Sequence, residues 1–180
     1  AGLPSAPGRR VATECDHACH PRYDGGEATG SRERVLEAYN LTVVGGAGIV
    51  GQELLKILDQ RKVPVGRLRL LATKRSAGKV FTFRGKQVTV EETTDDSFGP
   101  DDHIVFLSAS GSASRHYAPI AQAHGSFVID DSSAFRMDPD VPLVIPEVNP
   151  EDLEWHRGIV SQPNCTTTPM VMALFPIHRE

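Results

Sequence analysis

The sequence has little cysteine, few aromatic residues and no long apolar run. Among 180 residues there are three cysteines and one tryptophan, and aromatic residues make up 6%. So few cysteines do not make a disulfide framework, which favours a reducing compartment, the cytoplasm by default. No apolar run approaches the ~20 residues that a membrane span needs, so no membrane partner is expected. The net charge of −4 argues against a nucleic-acid partner, since proteins of that class usually carry a basic surface.

The first 33 residues are rich in Gly, Pro and charge and show no sustained hydrophobic period. They predict a poorly ordered leader. Arg9 and Arg10, in a stretch without acids, faintly resemble the tail of an organellar transit peptide, so a plastid is an alternative location. Cys15 and Cys19 lie in one short cluster with His17 and His20 and could bind zinc. Because no second pair of such ligands follows elsewhere, a solvated leader is favoured and no metal site is predicted.

The rest of the chain is organised around one glycine-rich turn. An apolar run at 41–44 enters it and an amphipathic run at 50–58 leaves it, which predicts a strand, a turn and a helix. Gly45, Gly48 and Gly51 are spaced so that a pyrophosphate could approach the amides of the helix N-terminus. The turn therefore predicts a dinucleotide site, against the alternative of a tight turn that binds nothing.

A basic loop follows the next predicted strand, at residues 68–72. In dinucleotide folds the end of the second strand meets the adenosine ribose, where an acid selects NAD and an arginine admits a 2′-phosphate. Here the loop contains Lys74, Arg75 and Ser76. These residues indicate NADP, with a solvated basic loop as the alternative.

Strands and helices alternate along the remaining chain. Residues 80–90 predict a hairpin and 103–107 a strand. The small-residue turn that begins at Ser108 would let a cofactor pass, although a plain loop is an equal alternative. Residues 114–124 predict a helix with a late start or a kink because of Pro119. The fold class is therefore α/β, a Rossmann-like, doubly wound, largely parallel sheet with helices on both faces.

The last third of the chain holds the candidate catalytic residues. Asn149 and Pro150 predict the start of a helix, with Asn149 as its N-cap. Cys165 lies between a short apolar strand and an apolar helical run, where helix amides favour the nucleophilic thiolate. A lone cysteine is more often a packing residue, but the neighbouring Asn and Thr residues are unlike a core. Arg136 is a candidate clamp for phosphate or carboxylate, with a surface arginine as the alternative.

Five motifs in one order and spacing resemble aspartate-semialdehyde dehydrogenase over residues 41–178. They are the glycine turn with Gln52-Glu53-Leu54-Leu55, Arg75-Ser76-Ala77-Gly78, Asp131-Ser132-Ser133-Ala134-Phe135-Arg136-Met137, the run 141–149, and Pro163-Asn164-Cys165-Thr166. The resemblance implies an NADP-dependent enzyme that reduces β-aspartyl phosphate to the semialdehyde and releases phosphate, in the synthesis of lysine, threonine and methionine.

The resemblance also implies roles for single residues. Cys165 is expected to form an acyl-thioester and Arg136 to bind the phosphate group. The implied cofactor contacts are Gly45, Ala47, Gly48, Ile49, Val50, Gly51, Arg75, Ser76 and Ser108. The implied domains are a leader at 1–33, an NADP-binding domain at 34–164 and the start of a catalytic and dimerisation domain at 165–180. The complete protein is expected to be a homodimer or homotetramer.

The chain departs from the family in three ways, of which one, Thr73-Lys74 before Arg75, is expected to have little consequence. Asp131 stands where the family usually has Asn, and its carboxylate would repel phosphate and nucleotide unless protonated or turned away. The family's catalytic histidine and substrate-binding arginine lie well beyond the cysteine, and His178 does not fit that histidine motif. The chain is therefore expected to be an incomplete portion without activity of its own. The alternatives are a non-catalytic NADP-binding or dimerising module, or another acyl-phosphate reductase such as N-acetyl-glutamyl-phosphate reductase.

Overall fold

A computed structural model describes residues 38–179. The predicted leader, with Cys15 and Cys19, lies outside these residues. The strands are β1 (Tyr39–Val44), β2 (Val65–Ala72), β3 (Val80–Phe83), β4 (Lys86–Glu92), β5 (Ile104–Leu107), β6 (Phe127–Asp130) and β7 (Ile159–Ser161). The helices are α1 (Ile49–Gln60), α2 (Gly111–Ala123) and α3 (Thr167–His178), with short 3-10 turns at Asp95–Ser97 and Pro150–Trp155.

All seven strands form one sheet in the order β3-β4-β2-β1-β5-β6-β7. Every neighbouring pair is parallel except β3 and β4, which form the predicted antiparallel hairpin. The strand order reverses beside β1, since the chain first moves outward to β2 and β4 and then returns to β5 on the other side. In sheets of this kind, ligands bind outside the carboxyl ends of the strands at that reversal.

Helices cover both faces of the sheet. Leu55 of α1 packs in one apolar cluster with Val43 and Leu70, while Ala118 and Ala121 of α2 pack in another on the opposite face. This layering buries the central strands on both sides, which explains their nearly continuous apolar sequence. The predicted fold class is confirmed.

The start of α2 differs from the prediction. The helix begins at Gly111, three residues before the predicted start, and continues through Pro119. Ser110 sets this start, because its side-chain oxygen accepts a hydrogen bond of 3.3 Å from the amide of Ala113. The expectation of a late start was therefore wrong.

The predicted helix after Asn149 is a single 3-10 segment, Pro150–Trp155, and the side chain of Asn149 does not cap it. Instead, its Oδ1 accepts from the amide of Ile145 at 2.8 Å, and its Nδ2 donates to the carbonyl of Leu143 at 3.0 Å. Asn149 therefore closes the preceding loop, which lies beside β7 through a bridge between Leu143 and Ser161.

A buried carboxylate joins β1 and β2 near their amino ends. Asp102, with 2% of its side chain exposed, forms ion pairs of 3.2 Å with Arg67 and with Arg69. It also accepts a 2.7 Å bond from the hydroxyl of Thr42. The hydrogen bond to Glu91 raises the pKa of Arg69, and the charge of Asp102 raises it further. Asp102 precedes β5, so the charges paired with it lie toward the amino ends of the strands. They leave the carboxyl ends of the strands free for a site.

Among the described helices, none is both long and apolar enough to cross a membrane.

Candidate dinucleotide and thiol site

The glycine turn between β1 and α1 packs too tightly for side chains. Gly45 has φ +84°, and a Cβ built there would lie 2.0 Å from the carbonyl oxygen of Ser108. A Cβ at Gly51 would lie 2.7 Å from the Cα of Gly46. Glycine is therefore required for the turn to lie against β5 and for α1 to start so close to β1.

The N-terminus of α1 opens at the carboxyl end of the sheet. Gly48 precedes the helix and supplies no side-chain cap, and the first amides of any helix lack acceptors within the helix. Ile49 is 91% exposed and Val50 is 50% exposed, so the first turn of α1 lies open to solvent. Exposed amides at the positive end of a helix dipole suit an anionic group such as a pyrophosphate.

Ser108 lies at the end of the neighbouring strand, against the glycine turn. The glycine turn, the N-terminus of α1 and Ser108 together border a crevice at the carboxyl end of the sheet. Ser108 follows β5 directly, and its amide donates a 2.9 Å bond to the carbonyl of Val44 at the end of β1. Its hydroxyl donates to Oδ2 of Asp131 at 3.2 Å. Ser108 therefore lies where the strand order reverses, beside the glycine turn that the sequence singled out.

The Arg75 loop lies at the carboxyl end of β2, the strand next to β1. The loop is tightened by a 2.8 Å bond from the amide of Ser76 to the carbonyl of Thr73. The side chain of Arg75 is exposed and has no hydrogen-bond or ion-pair partner within residues 38–179. A guanidinium held on a short turn beside the crevice is free to bind an incoming phosphate.

Arg136 is half-buried and bound to two backbone carbonyls. Its Nε donates to Gln162 at 2.9 Å and its Nη2 donates to Asp131 at 3.0 Å. These bonds join the segment after β6 to the segment after β7. The guanidinium is therefore held by the fold, and its role as an anion clamp stays a prediction. The remaining nitrogen, Nη1, has no partner in the described chain and can bind an anion.

Cys165 is exposed and lies two residues before the first residue of α3. Its Sγ lies 3.8 Å from Oδ1 of Asn164. The same oxygen accepts from the amide of Thr166 at 2.9 Å, and the backbone carbonyl of Asn164 accepts from the amide of Thr167 at 2.9 Å. Asn164 therefore shapes the turn that presents the thiol.

Sequence reasoning treated Asn164 only as a polar neighbour and missed this role. The signal was present, because Asn just before a helix commonly bonds the amide two residues ahead. His178 lies at the exposed end of α3. Within the described chain, Cys165 has no histidine among its hydrogen-bond partners.

Asp131 is a carboxylate at the border of the crevice. Burial raises its pKa, while the hydrogen bond from Ser108 and the charge of Arg136 lower it and the neighbouring Asp130 raises it again. Asp130 is fully buried. One of its oxygens accepts a 2.8 Å bond from Ser132, and the other has no partner among the described residues.

An apolar cavity of about 160 Å³ lies elsewhere, between α1 and the amino halves of the strands. Leu41, Leu58 and Ile104 line part of it. It offers no polar group at the carboxyl end of the sheet, so it is not the dinucleotide site. Among residues 38–179, no group of three His, Cys, Asp or Glu side chains is placed to hold a metal ion.

Fold and site together define a doubly wound dinucleotide-binding domain followed by an exposed cysteine at the start of a further helix. Residues 40–156 match the model of the family described as semialdehyde dehydrogenase, NAD binding domain. The chain belongs to this family, and the domain is of the NAD(P)-binding type.

Named relatives support this assignment. The chain is 49% identical to the aspartate-semialdehyde dehydrogenase of Aquifex aeolicus over 142 residues, which is 78% of this chain and 42% of that protein. It is 49% identical to that of Bacillus subtilis over 140 residues, 78% of this chain and 40% of that protein. The resemblance predicted from the five motifs is confirmed.

A solved structure gives the same answer. The crystal structure of aspartate semialdehyde dehydrogenase II from Vibrio cholerae, complexed with ASA, superposes with a TM-score of 0.75 at 43% identity. The match covers 79% of this chain and 47% of that chain. The chain thus spans only about two fifths of the length of the curated relatives that it matches.

Proposed function

We propose that this chain supplies the NADP-binding domain and the catalytic thiol of an aspartate-semialdehyde dehydrogenase. The observation that carries the proposal is that the open N-terminus of α1 and the segment of Cys165 lie at the same, carboxyl end of one parallel sheet. A hydride cofactor and a thiol can act on one substrate only if both lie at the same end of the sheet. The names of the relatives supply the substrate class.

The residues present fit a nicotinamide dinucleotide with a 2′-phosphate. Gly45 and Gly51 allow the turn to pack against Ser108 and Gly46, where a Cβ would clash. The N-terminus of α1 can therefore start close to β1 and offer its amides to the pyrophosphate. Arg75 and Ser76, at the end of the second strand, would bind the 2′-phosphate. The bound cofactor supplies the hydride that reduces the acyl group.

In the proposed reaction, the thiolate of Cys165 attacks the acyl carbon of β-aspartyl phosphate. A carbon–sulfur bond forms, the carbon–oxygen bond to phosphate breaks, and phosphate leaves toward the free nitrogen of Arg136. Reduction of the thioester carbon would be followed by cleavage of the carbon–sulfur bond, which re-forms the carbonyl and releases the aldehyde and the thiolate of Cys165. The two carbonyls that hold Arg136 fix its orientation without neutralising its charge, which suits it to stabilise the leaving phosphate.

A general acid or base and a clamp for the substrate carboxylate must come from elsewhere, because Cys165 bonds no histidine in the described chain. The longer relatives have room for both beyond the matched region. The surface of α3 also supports a covering segment or a second subunit, since none of its residues is buried. Its exposed large apolar residues are Met170, Met172, Leu174 and Ile177.

A non-catalytic NADP-binding module is the second candidate, and the absence of a histidine bonded to Cys165 favours it. An experiment distinguishes the enzyme from the non-catalytic module: residues 1–180 are fused to the carboxyl-terminal portion of the Bacillus subtilis relative. The assay is phosphate-dependent NADPH formation from aspartate semialdehyde.

We expect no activity from the 180 residues alone and measurable activity from the fusion. Cys165→Ala should abolish that activity, while Cys19→Ala, a control at a cysteine to which the proposal gives no role, should preserve it. A folded fusion that binds NADPH but remains inactive would support the non-catalytic module. Robust activity of the isolated chain would show that it needs no further portion.

A further inference from the structure

One hydrogen bond at the crevice depends on a titratable group. Ser108 follows β5 and Asp131 follows β6, and the serine hydroxyl bonds the carboxylate at 3.2 Å. The carbonyl of the same serine lies against Gly45 of the glycine turn. The pair therefore stands at the reversal of strand order, where this fold class binds dinucleotides.

The direction of that bond follows from the chemistry of the two groups. An ionised carboxylate has no hydrogen to donate, so the hydroxyl of Ser108 must give its single hydrogen to Asp131. The serine oxygen then offers only lone pairs to any other partner. A protonated carboxyl, or a carboxamide in the same place, can instead donate to Ser108 and release the hydroxyl hydrogen.

A bound dinucleotide would present mainly acceptors to this crevice, namely pyrophosphate oxygens and the carboxamide oxygen of the nicotinamide. We propose that the protonation of Asp131 decides whether Ser108 can donate a hydrogen bond to the dinucleotide, so that Asp131 is a positioning residue that makes dinucleotide affinity depend on pH. This inference rests on the proposed cofactor site.

Charged groups and burial around Asp131 affect its pKa. Arg136 donates to its backbone carbonyl, and Asp130 precedes it in the chain. From α2, the charged side chain of Arg115 bonds the nearby carbonyl of Ala134 at 3.2 Å. The glycine turn contributes no charged side chain. Burial raises the pKa of Asp131, while the hydrogen bond from Ser108 and the charge of Arg136 lower it. The net rise lets the protonated form persist to a higher pH than in an exposed carboxyl.

The test is a fluorescence titration of NADPH on the full 180-residue chain between about pH 4 and 8, a range that starts near the ordinary carboxyl value and extends well above it. Four proteins are compared: the parent chain, Asp131→Asn, Ser108→Ala and the double variant. Asn has the shape of Asp but donates permanently. Circular dichroism checks that each variant keeps its fold.

We expect Asp131→Asn to bind NADPH about tenfold more tightly than the parent at pH 8, the size of one hydrogen bond. The advantage should shrink as the pH falls and the parent carboxyl protonates. In the Ser108→Ala background, Asp131→Asn should give little advantage, because the hydroxyl that it releases is gone. The cofactor's own 2′-phosphate titrates equally in all four proteins and cancels from the ratios.

Equal affinity of the parent and Asp131→Asn at every pH would overturn the inference while leaving the proposed cofactor site in place. An undiminished advantage in the Ser108→Ala background would also overturn it, since charge repulsion alone would then explain the effect. Failure of all four folded proteins to bind NADPH would instead overturn the cofactor site itself, and the inference with it.

Discussion

Nε of Arg136 donates a hydrogen bond of 2.9 Å to the backbone carbonyl of Gln162. This bond ties the loop after β6 to the segment that leads into Cys165. Because a second nitrogen of the same guanidinium holds the carbonyl of Asp131, the side chain is fixed from two sides. The bonds of Arg136, the candidate phosphate clamp, thereby link its own loop to the segment that carries Cys165, the candidate nucleophile.

Replacing Arg136 with Met should lower the free energy of unfolding by about 1–3 kcal/mol, because it removes charge-assisted bonds to two carbonyls. The matched control is Arg75→Met, which removes an exposed guanidinium without partners and should stay within about 0.5 kcal/mol of the parent. Urea denaturation followed by circular dichroism measures both. Equal losses would show that the bonds of Arg136 contribute nothing to stability.

NADPH should bind this chain more tightly than NADH, and Arg75→Glu should remove most of that preference. The substitution replaces a charge-assisted bond to the 2′-phosphate, about 1.5–3 kcal/mol, with repulsion. Fluorescence titrations with both nucleotides give the ratio of affinities. Lys74→Glu is the neighbouring control and should keep the preference. The reverse pattern would transfer the phosphate contact to Lys74.

Cys165 should react with iodoacetamide before Cys15 and Cys19 at neutral pH. Its thiol is exposed two residues before the start of α3, where the reagent can reach it. Limited alkylation followed by peptide mapping ranks the three cysteines. Asn164→Ala, which removes the side-chain acceptor beside Sγ, should change the rate at Cys165 alone. Faster labelling of Cys15 or Cys19 would count against Cys165 as the nucleophile.

Asp131→Asn should stabilise the chain increasingly as the pH rises. Burial raises the pKa of Asp131 above its ordinary value of 3.8, despite the Ser108 bond and the charge of Arg136, which lower it. The stability that comes from this raised pKa is complete below 3.8 and is lost as the pH rises through the folded-state value. Thermal melts of both proteins from about pH 4 to 7.5 cover that window. A difference in Tm that stays constant or narrows with rising pH would contradict the assignment.

Gly45→Ala should destabilise the chain far more than Gly78→Ala. The two glycines have φ +84° and +83°, but a Cβ would lie 2.0 Å from Ser108 at Gly45 and would meet nothing within 4 Å at Gly78. Left-handed backbone alone costs about 1–2 kcal/mol in a non-glycine residue, which is the loss expected for Gly78→Ala. Urea denaturation measures the difference between the two, which isolates the clash. Similar losses would mean that the turn can move away from β5.

Local pattern predicted the elements well, because each depends on residues near in sequence. The glycine turn, the hairpin and β5 lie where apolar runs and turn residues predicted them. The starts of α2 and β2 were missed, because a cap at Ser110 and pairing with β1 extend these elements beyond their apolar cores. The domain boundaries and the roles assigned to site residues stay predictions.

Contacts between distant segments could not be read from the pattern. Arg136 was predicted to bind an anion, but its bond to Gln162 depends on the packing of β6 beside β7. Asn149 was predicted to cap the helix that follows it, but its side chain instead accepts a hydrogen bond from the amide of Ile145 in the preceding loop. Motif resemblance predicted the site residues, because the motifs of a family mark residues that lie together in the fold although they are distant in sequence. It could not say what Asp131 bonds, because there the chain departs from the motif.

The central place of β1 has a consequence for the order of assembly. β1 pairs on one side with β2, which follows soon after it, and on the other with β5, which is made much later in the chain. Contacts between distant segments form slowly, and Gly45 rests against Ser108 only once β5 has docked. A ligand that requires the finished crevice stabilises only chains that have completed this step. The concentration of dinucleotide would then determine which newly made chains are stabilised, favouring those in which β5 has paired with β1.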